Sequence, residues 1–218
     1  MRISSCIPLA ISAFFLVACQ PENTDQEGHE FKTTTIGSQV WMAENLNVAH
    51  FQNGDPIPHV KNAEEWVQAG EAGQPAWCYF NNDPANGKQF GRLYNWYATV
   101  DERGLAPEGW HVPSDEEWTT LSESIGGMAD AGTKLKSRTG WSQGNGTDDF
   151  GFNGLPAAGR SGVNGFTGQG TVAVFWSTTS KSRSFAWYRV LHARRTGIFK
   201  ENDDKMSGFS IRCLKNAQ

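Results

Sequence analysis

The chain has 218 residues, with 19 Lys and Arg against 23 Asp and Glu, a formal net charge of −4. Apolar residues make up 38% and aromatic residues 12%, including nine Trp and thirteen Phe, alongside 24 Gly. This balance gives no electrostatic ground for nucleic-acid binding and excludes a largely disordered chain or a coiled coil, leaving a loop-rich globular protein with enough residues for a sizeable core.

The first segment reads as an address. A single basic residue, Arg2, precedes an apolar stretch from Ile7 to Val17 that is too short to cross a bilayer as a helix. Leu16, Val17, Ala18 and Cys19 then resemble the lipobox of bacterial lipoproteins, in which the cysteine is acylated and becomes the first residue of the mature chain. Residues 1–18 are therefore expected to be a signal peptide, with Cys19 the lipid attachment site. Residues 19–35 are expected to be a flexible tether, because Gln20 to Glu30 carries four acids, no Lys or Arg, and no apolar pattern. Gln20 rather than Asp after the cysteine implies an outer-membrane lipoprotein of the cell envelope, on either face.

From residue 36 the chain alternates short patterned pieces with Gly and Asn turns, without an internal repeat, which predicts one domain over 36–218. A strand is predicted over Gln39 to Met42. Helices are predicted from Asn62 to Ala69, with Glu65 at a capping-box position, and from Asn95 to Asp101. The clearest helix begins at Ser114, where Ser114 and Glu117 form a capping box, Trp118, Leu121 and Ile125 share a face, and Gly126 and Gly127 end it. Strands follow at Val172 to Ser177, Ser184 to His192 and Gly208 to Leu214, where Phe209, Ile211 and Cys213 alternate with polar residues. The result is an α+β class with two to three helices, short twisted antiparallel strands and long loops. Trp41, Trp96, Trp110, Trp118, Trp176 and Trp187 lie inside patterned elements and are expected in the core.

Once Cys6 leaves with the signal and Cys19 takes lipid, Cys78 and Cys213 remain. In an oxidising compartment they are a candidate disulfide, contributing ~4 to 5 kcal/mol on a chain-entropy argument; the alternative is two separate buried thiols. There is no CxxC pair, and the five His have no ligand spacing, so zinc is not expected.

The strings TIGSQVWMAENLN, GRLYNWYATV, APEGWHVPSDEEWTTL, GTDDFGFNGLPAAGR and SGFSIRC, in this order, resemble the Fibrobacter succinogenes major paralogous domain over Ile36 to Leu214. That resemblance implies a C-type lectin-like fold and no particular reaction. GWHVPSDEEW is also similar to a strand-to-helix segment of formylglycine-generating enzymes. Many family members carry a cysteine before the PxGWH motif, where this chain has Ala106, which leaves the pairing of Cys78 and Cys213 open.

No GxSxG motif or paired acid and base is evident, so no catalytic residues are assigned. The expected function is non-catalytic binding or adhesion toward a glycan or protein partner at the cell surface, with no nucleic acid. The alternatives are an oxidase related to formylglycine-generating enzymes, for which Cys213 lacks the neighbouring thiol that Cu(I) needs, and a purely structural surface component. The candidate carbohydrate site is the loop of Asn145, Thr147, Asp148, Asp149 and Asn153, flanked by Trp141 as an exposed aromatic. Calcium is conceivable only there, on Asp148 and Asp149, against a reading in which these acids cap their own turns. Arg194 and Arg195 form the one compact basic cluster, suited to an acidic glycan or phosphate or to a solvated strand end. His111 is expected to be a hydrogen-bonded structural residue.

Overall fold

The computed structural model describes residues 23–163 and 165–217. In chain order the elements are β1 (Thr33–Ile36), β2 (Gln39–Met42), α1 (Ala63–Glu71), β3 (Trp77–Cys78), a 3-10 turn (Phe80–Asn82), α2 (Pro84–Phe90), β4 (Leu93–Tyr94), α3 (Trp96–Thr99), β5 (Trp110–His111) and α4 (Asp115–Ser124). They continue with α5 (Ala131–Leu135), β6 (Gly159–Ser161), β7 (Gly165–Thr167), β8 (Val172–Ser180), β9 (Phe185–His192), β10 (Ile198–Asp204) and β11 (Leu214–Lys215). The mixed α+β class holds, with more helices than expected: α2 and α5 join the three predicted ones.

The helices start where side-chain oxygens satisfy free backbone amides. Asn62 Oδ1 accepts from Glu64 and Glu65 N–H at 2.7 and 3.2 Å, so α1 is capped by its Asn rather than by a reciprocal box. The Ser114 box forms in full: Ser114 Oγ accepts from Glu117 N–H at 3.2 Å, and Glu117 Oε2 accepts from Ser114 N–H at 2.7 Å.

The strands form four small antiparallel sheets, ordered β1-β2-β11-β5, β10-β9-β8, β3-β4 and β6-β7. The first joins the amino-terminal hairpin to the carboxyl-terminal strand. The second is the longest ladder: β9 pairs β10 from Leu191↔Ile198 to Phe185↔Asp204, and β8 on its other edge. Two large apolar clusters flank it. One surrounds Trp118, whose ring lies 4.7 Å from Trp41 and 5.5 Å from Phe175; the other surrounds Trp176, 4.4 Å from Phe209. Trp41, Trp96, Trp110, Trp118 and Trp176 are buried as expected, whereas Trp187 is half-buried, with Lys181 and Lys200 ammoniums 4.9 and 4.3 Å from its ring.

Three expectations are corrected. Within the segment expected to be a flexible tether, the described residues from Asn23 onward are folded: Phe31 N–H donates to Asn23 O at 2.9 Å, Asp25 Oδ1 closes a turn on the amides of Glu27 and His29, and Gln26 Nε2 donates to His50 O at 2.8 Å. Short polar residues satisfied by backbone, not apolar periodicity, order this segment. Residues 1–22, with the signal peptide and Cys19, lie outside the described residues. The predicted strand over Gly208 to Leu214 is mostly not a strand. Gly208, Phe209 and Ser210 each make one isolated bridge, to Arg160, Tyr94 and Phe175, before β11 begins. This segment threads between sheets, so both of its alternating faces are buried, including Ser210 and Arg212. The disulfide is not formed. Cys78, in β3, and Cys213 are both free and buried, in separate clusters. Burial raises the Cys78 thiol to about 11, against the pull of Arg160, and pushes Cys213 far up.

Buried cations tie the loops to this frame. Arg212 is fully enclosed; its Nη2 donates to Asn45 Oδ1 at 2.7 Å, its Nη1 to Met42 O at 3.2 Å and to Phe152 O, and its guanidinium lies 4.3 Å from the Phe152 ring. Desolvation lowers it to about 9, against the pull of Glu44 and Asp148. Arg189 in β9 reaches Asp115 Oδ1 at 2.6 Å, fixing α4 on the sheet.

Candidate functional site

The predicted loop follows α5 and returns as residues 137–153, packed against the β9–β10 turn at residues 193–197. α5 is bonded to this turn, Thr133 N–H donating to Thr196 O at 2.8 Å, and the loop is closed on itself, Gly146 N–H donating to Ser137 O at 2.9 Å. Gly144 has φ +62°, and a Cβ there would lie 2.3 Å from Ala193 O, so only glycine allows the loop this close to the turn.

Trp141 is not the exposed platform expected. It is 6% exposed, its Nε1 donates to Ser137 Oγ at 3.1 Å and Gly154 O at 3.2 Å, and it belongs to the Trp118 cluster. Flanking Gly140 and Ser142 mark a turn, and a turn can point a large aromatic inward as an anchor as readily as outward. Asn145 Oδ1 accepts the Trp141 N–H at 3.2 Å, closing the loop on itself. Asp148 sits at φ +46° and its Oδ1 accepts the Asn153 N–H at 2.7 Å, the turn-capping role. Asp149 is exposed, and its N–H donates to Lys134 O at 3.1 Å. Among the described residues no three acidic, His or Cys side chains converge as metal ligands, so Asp148 and Asp149 receive no third acid.

Arg194 and Arg195 come together with Asn145, although some fifty residues apart in sequence. Two adjoining open clefts, of about 300 and 320 Å3, share Ala193, Arg194 and Arg195. Lys136, Gln143 and Asn145 wall the first; Ser142, Thr171 and His192 wall the second. Neither lining contains an acid. Arg194 Nε donates to Gln143 Oε1 at 2.7 Å, and the Arg195 guanidinium lies 5.0 Å from the Phe199 ring.

Lys136 was not legible as a site residue. It is only 3% exposed, yet its ammonium meets no carboxylate: it donates to Gly144 O at 2.8 Å, Arg195 O at 3.1 Å and His192 O at 3.3 Å. Desolvation lowers its pKa. It staples the loop to the turn through carbonyl dipoles, with the Trp141 ring 5.4 Å from its ammonium. His192, beside it, has a buried Nε2 with no hydrogen-bond partner, and its pKa is lowered by burial and by Arg195 and Lys136, against the pull of Glu201.

Two further clefts occur among the described residues. One of about 230 Å3 lies between the Asp25 turn and Lys88 of α2, and is mixed in charge, with Asp25, Glu30 and Glu44. The other, about 520 Å3, lies beside His111, whose Nε2 is 2.8 Å from Glu117 Oε1 and whose Nδ1 is 2.7 Å from Asn216 Oδ1. His111 is thus hydrogen-bonded on both ring nitrogens, as expected, linking β5, α4 and the carboxyl terminus.

No curated protein and no solved structure matches the chain. A family match extends over residues 34–215, slightly beyond the span of the motifs and including β1 but for Thr33. The chain belongs to the Fibrobacter succinogenes major domain family.

Proposed function

We propose that this is a lipid-anchored binding protein of the bacterial cell envelope, whose domain holds a glycan or protein partner without catalysing a reaction on it. The observation that carries this reading is the double cleft at Arg194 and Arg195. It is open, its walls present amide, hydroxyl and guanidinium groups, and its shape is set by backbone bonds and a buried lysine rather than by mobile side chains. Small antiparallel sheets, long loops and chain ends joined in one sheet are what a C-type lectin-like domain would have, and in that reading the loops carry the ligand. The two thiols that an oxidase of the formylglycine-generating type would need as thiolates are both buried, raised in pKa and unpaired.

Anchorage through Cys19 follows from the lipobox. Because Asn23 is already bonded into the fold, at most Gln20, Pro21 and Glu22 would separate it from the acylated residue, a reach of about 14 Å at most. The domain would then sit directly on the membrane surface, not at the end of a long tether.

A glycan-array screen of residues 20–218 without the lipid, in calcium and then in chelator, tests the reading. Saturable binding that persists in chelator is expected, since no resident metal is assigned to Asp148 and Asp149. Absence of binding in both conditions, together with strong self-association, would replace it with a structural surface role.

A further inference from the structure

The cleft's charge narrows what it can hold, an inference that rests on the binding reading above. The chain as a whole is acidic, at −4, yet the side chains lining this one place include three cations and no anion. None of the ion pairs formed among the described residues uses Lys136, Arg194 or Arg195. Three cations elsewhere do meet acids: Arg103 meets Asp101 at 2.8 Å, and Arg189 and Lys200 meet Asp115 at 2.6 Å each.

Lys136 makes the difference physical. An ammonium nearly removed from water and held by neutral carbonyls, with the Trp141 ring 5.4 Å away, carries a charge that no carboxylate neutralises at the cleft lining. Arg194 spends one N–H on Gln143 and has its two terminal nitrogens left, in a fork suited to an oxyanion. Arg195 is exposed and laid over Phe199, which holds its plane at the cleft edge. Gln143 and Asn145 amides and the Ser142 hydroxyl stand beside these charges, as a ligand with hydroxyl groups near its anionic group would require.

The geometry points to an anionic saccharide as the ligand, with its carboxylate or sulfate group held by Arg194 and Arg195 above Lys136 and its hydroxyl groups on Gln143, Asn145 and Ser142. The incoming anion supplies the counter-charge the site lacks, and a low-dielectric floor strengthens that attraction. An acidic protein segment offers the same charge without the hydroxyl groups.

His192 is the built-in reporter, since it lines the cleft and its pKa feels Glu201 in one direction and Arg195 and Lys136 in the other. NMR titration of residues 20–218 with sodium sulfate, with an oligogalacturonate and with its neutral oligogalactose counterpart, each at constant ionic strength, reads the His192 ring and the Asn145 amide. The expected result is saturable shifts with oligogalacturonate, a smaller response to sulfate, a rise in the His192 pKa on saturation, and loss of affinity on the order of tenfold or more in the Arg194→Ala/Arg195→Ala variant. Equal shifts with the neutral oligosaccharide would overturn the anionic assignment while leaving the binding reading intact. Anion binding at these residues with no glycan bound on the array would leave the anion site standing and remove the glycan, and a polyglutamate peptide binding more tightly than oligogalacturonate would make the ligand an acidic protein segment. Shifts unchanged by the double substitution would remove the site.

Discussion

Arg212 and Lys136 make the same contact in opposite surroundings. Each is a cation held by main-chain carbonyls with no carboxylate partner, and each joins a long loop to the sheet frame. Arg212 is enclosed by an amide, three carbonyls and two aromatic rings, so its charge is consumed by the protein. Lys136 lies under an open cleft with two more cations above it, so its charge is still available. A buried cation without an acid is a structural rivet where the site is closed and, in the reading proposed above, a binding determinant where it is open.

The largest effect should come from breaking the closed case. Arg212→Ala strands Asn45 Oδ1 and the Met42 and Phe152 carbonyls in the core and removes the cover on Phe152. A loss of about 3–5 kcal/mol is expected from urea unfolding, with no selective effect on ligand affinity beyond that caused by unfolding. Gly144→Ala should cost about 1–3 kcal/mol, through a Cβ driven against Ala193 O at a positive φ, and should open the loop; faster amide exchange at residue 146 checks it. Lys136→Met keeps the stem and removes the charge, so a loss of about 1–3 kcal/mol is expected together with weaker anion binding, whereas in Arg212 the two effects should not accompany each other.

How far these roles could be read from residues differs between the two regions. Local chemistry was legible: Asn62, Asn95 and Ser114 cap helices where the sequence places them, and the apolar spacing of Trp118 and Leu121 identifies the inward face of α4. The buried arginines were not, because period-two alternation assigns Arg212 to a solvent face, and only the threading of residues 208–213 between sheets reveals that both faces are covered. The site was half legible. Asn145, Arg194 and Arg195 do meet, but Trp141 turns inward, Asp148 caps Asn153, and Lys136 carries no local pattern that distinguishes it from a solvated helix-end lysine. The folded amino-terminal turn was missed because its order comes from Asp25, Gln26 and Glu27 meeting backbone amides and carbonyls, a signal that composition cannot carry.

Smaller effects sharpen the contrast. Arg194→Ala and Arg195→Ala should each change stability by no more than about 0.5 kcal/mol, because both are exposed, while weakening anion binding; thermal unfolding beside binding separates the two. Acid should act least and in a defined window. His192 has a lowered pKa in the fold, so the unfolded chain binds its proton first, and stability falls as pH drops below the ordinary value of 6.5. Glu117 is lowered as well: burial opposes the shift, but the Ser114 N–H and His111 outweigh it, so its contribution is complete above the ordinary value of 4.5 and lost as pH falls through the lowered one. A stability profile from pH 8 to pH 3 in His192→Gln should show a smaller first decline, the rest of it belonging to His59, which burial also lowers, and an unchanged second one.

The most direct test of the open-cleft account is the affinity of residues 20–218 for oligogalacturonate at low and high salt, in the unsubstituted protein and in Arg194→Ala/Arg195→Ala. The account predicts binding that weakens with salt in the former and is nearly abolished in the latter, with unfolding unchanged. Equal affinity in the two proteins at both salt concentrations would contradict it.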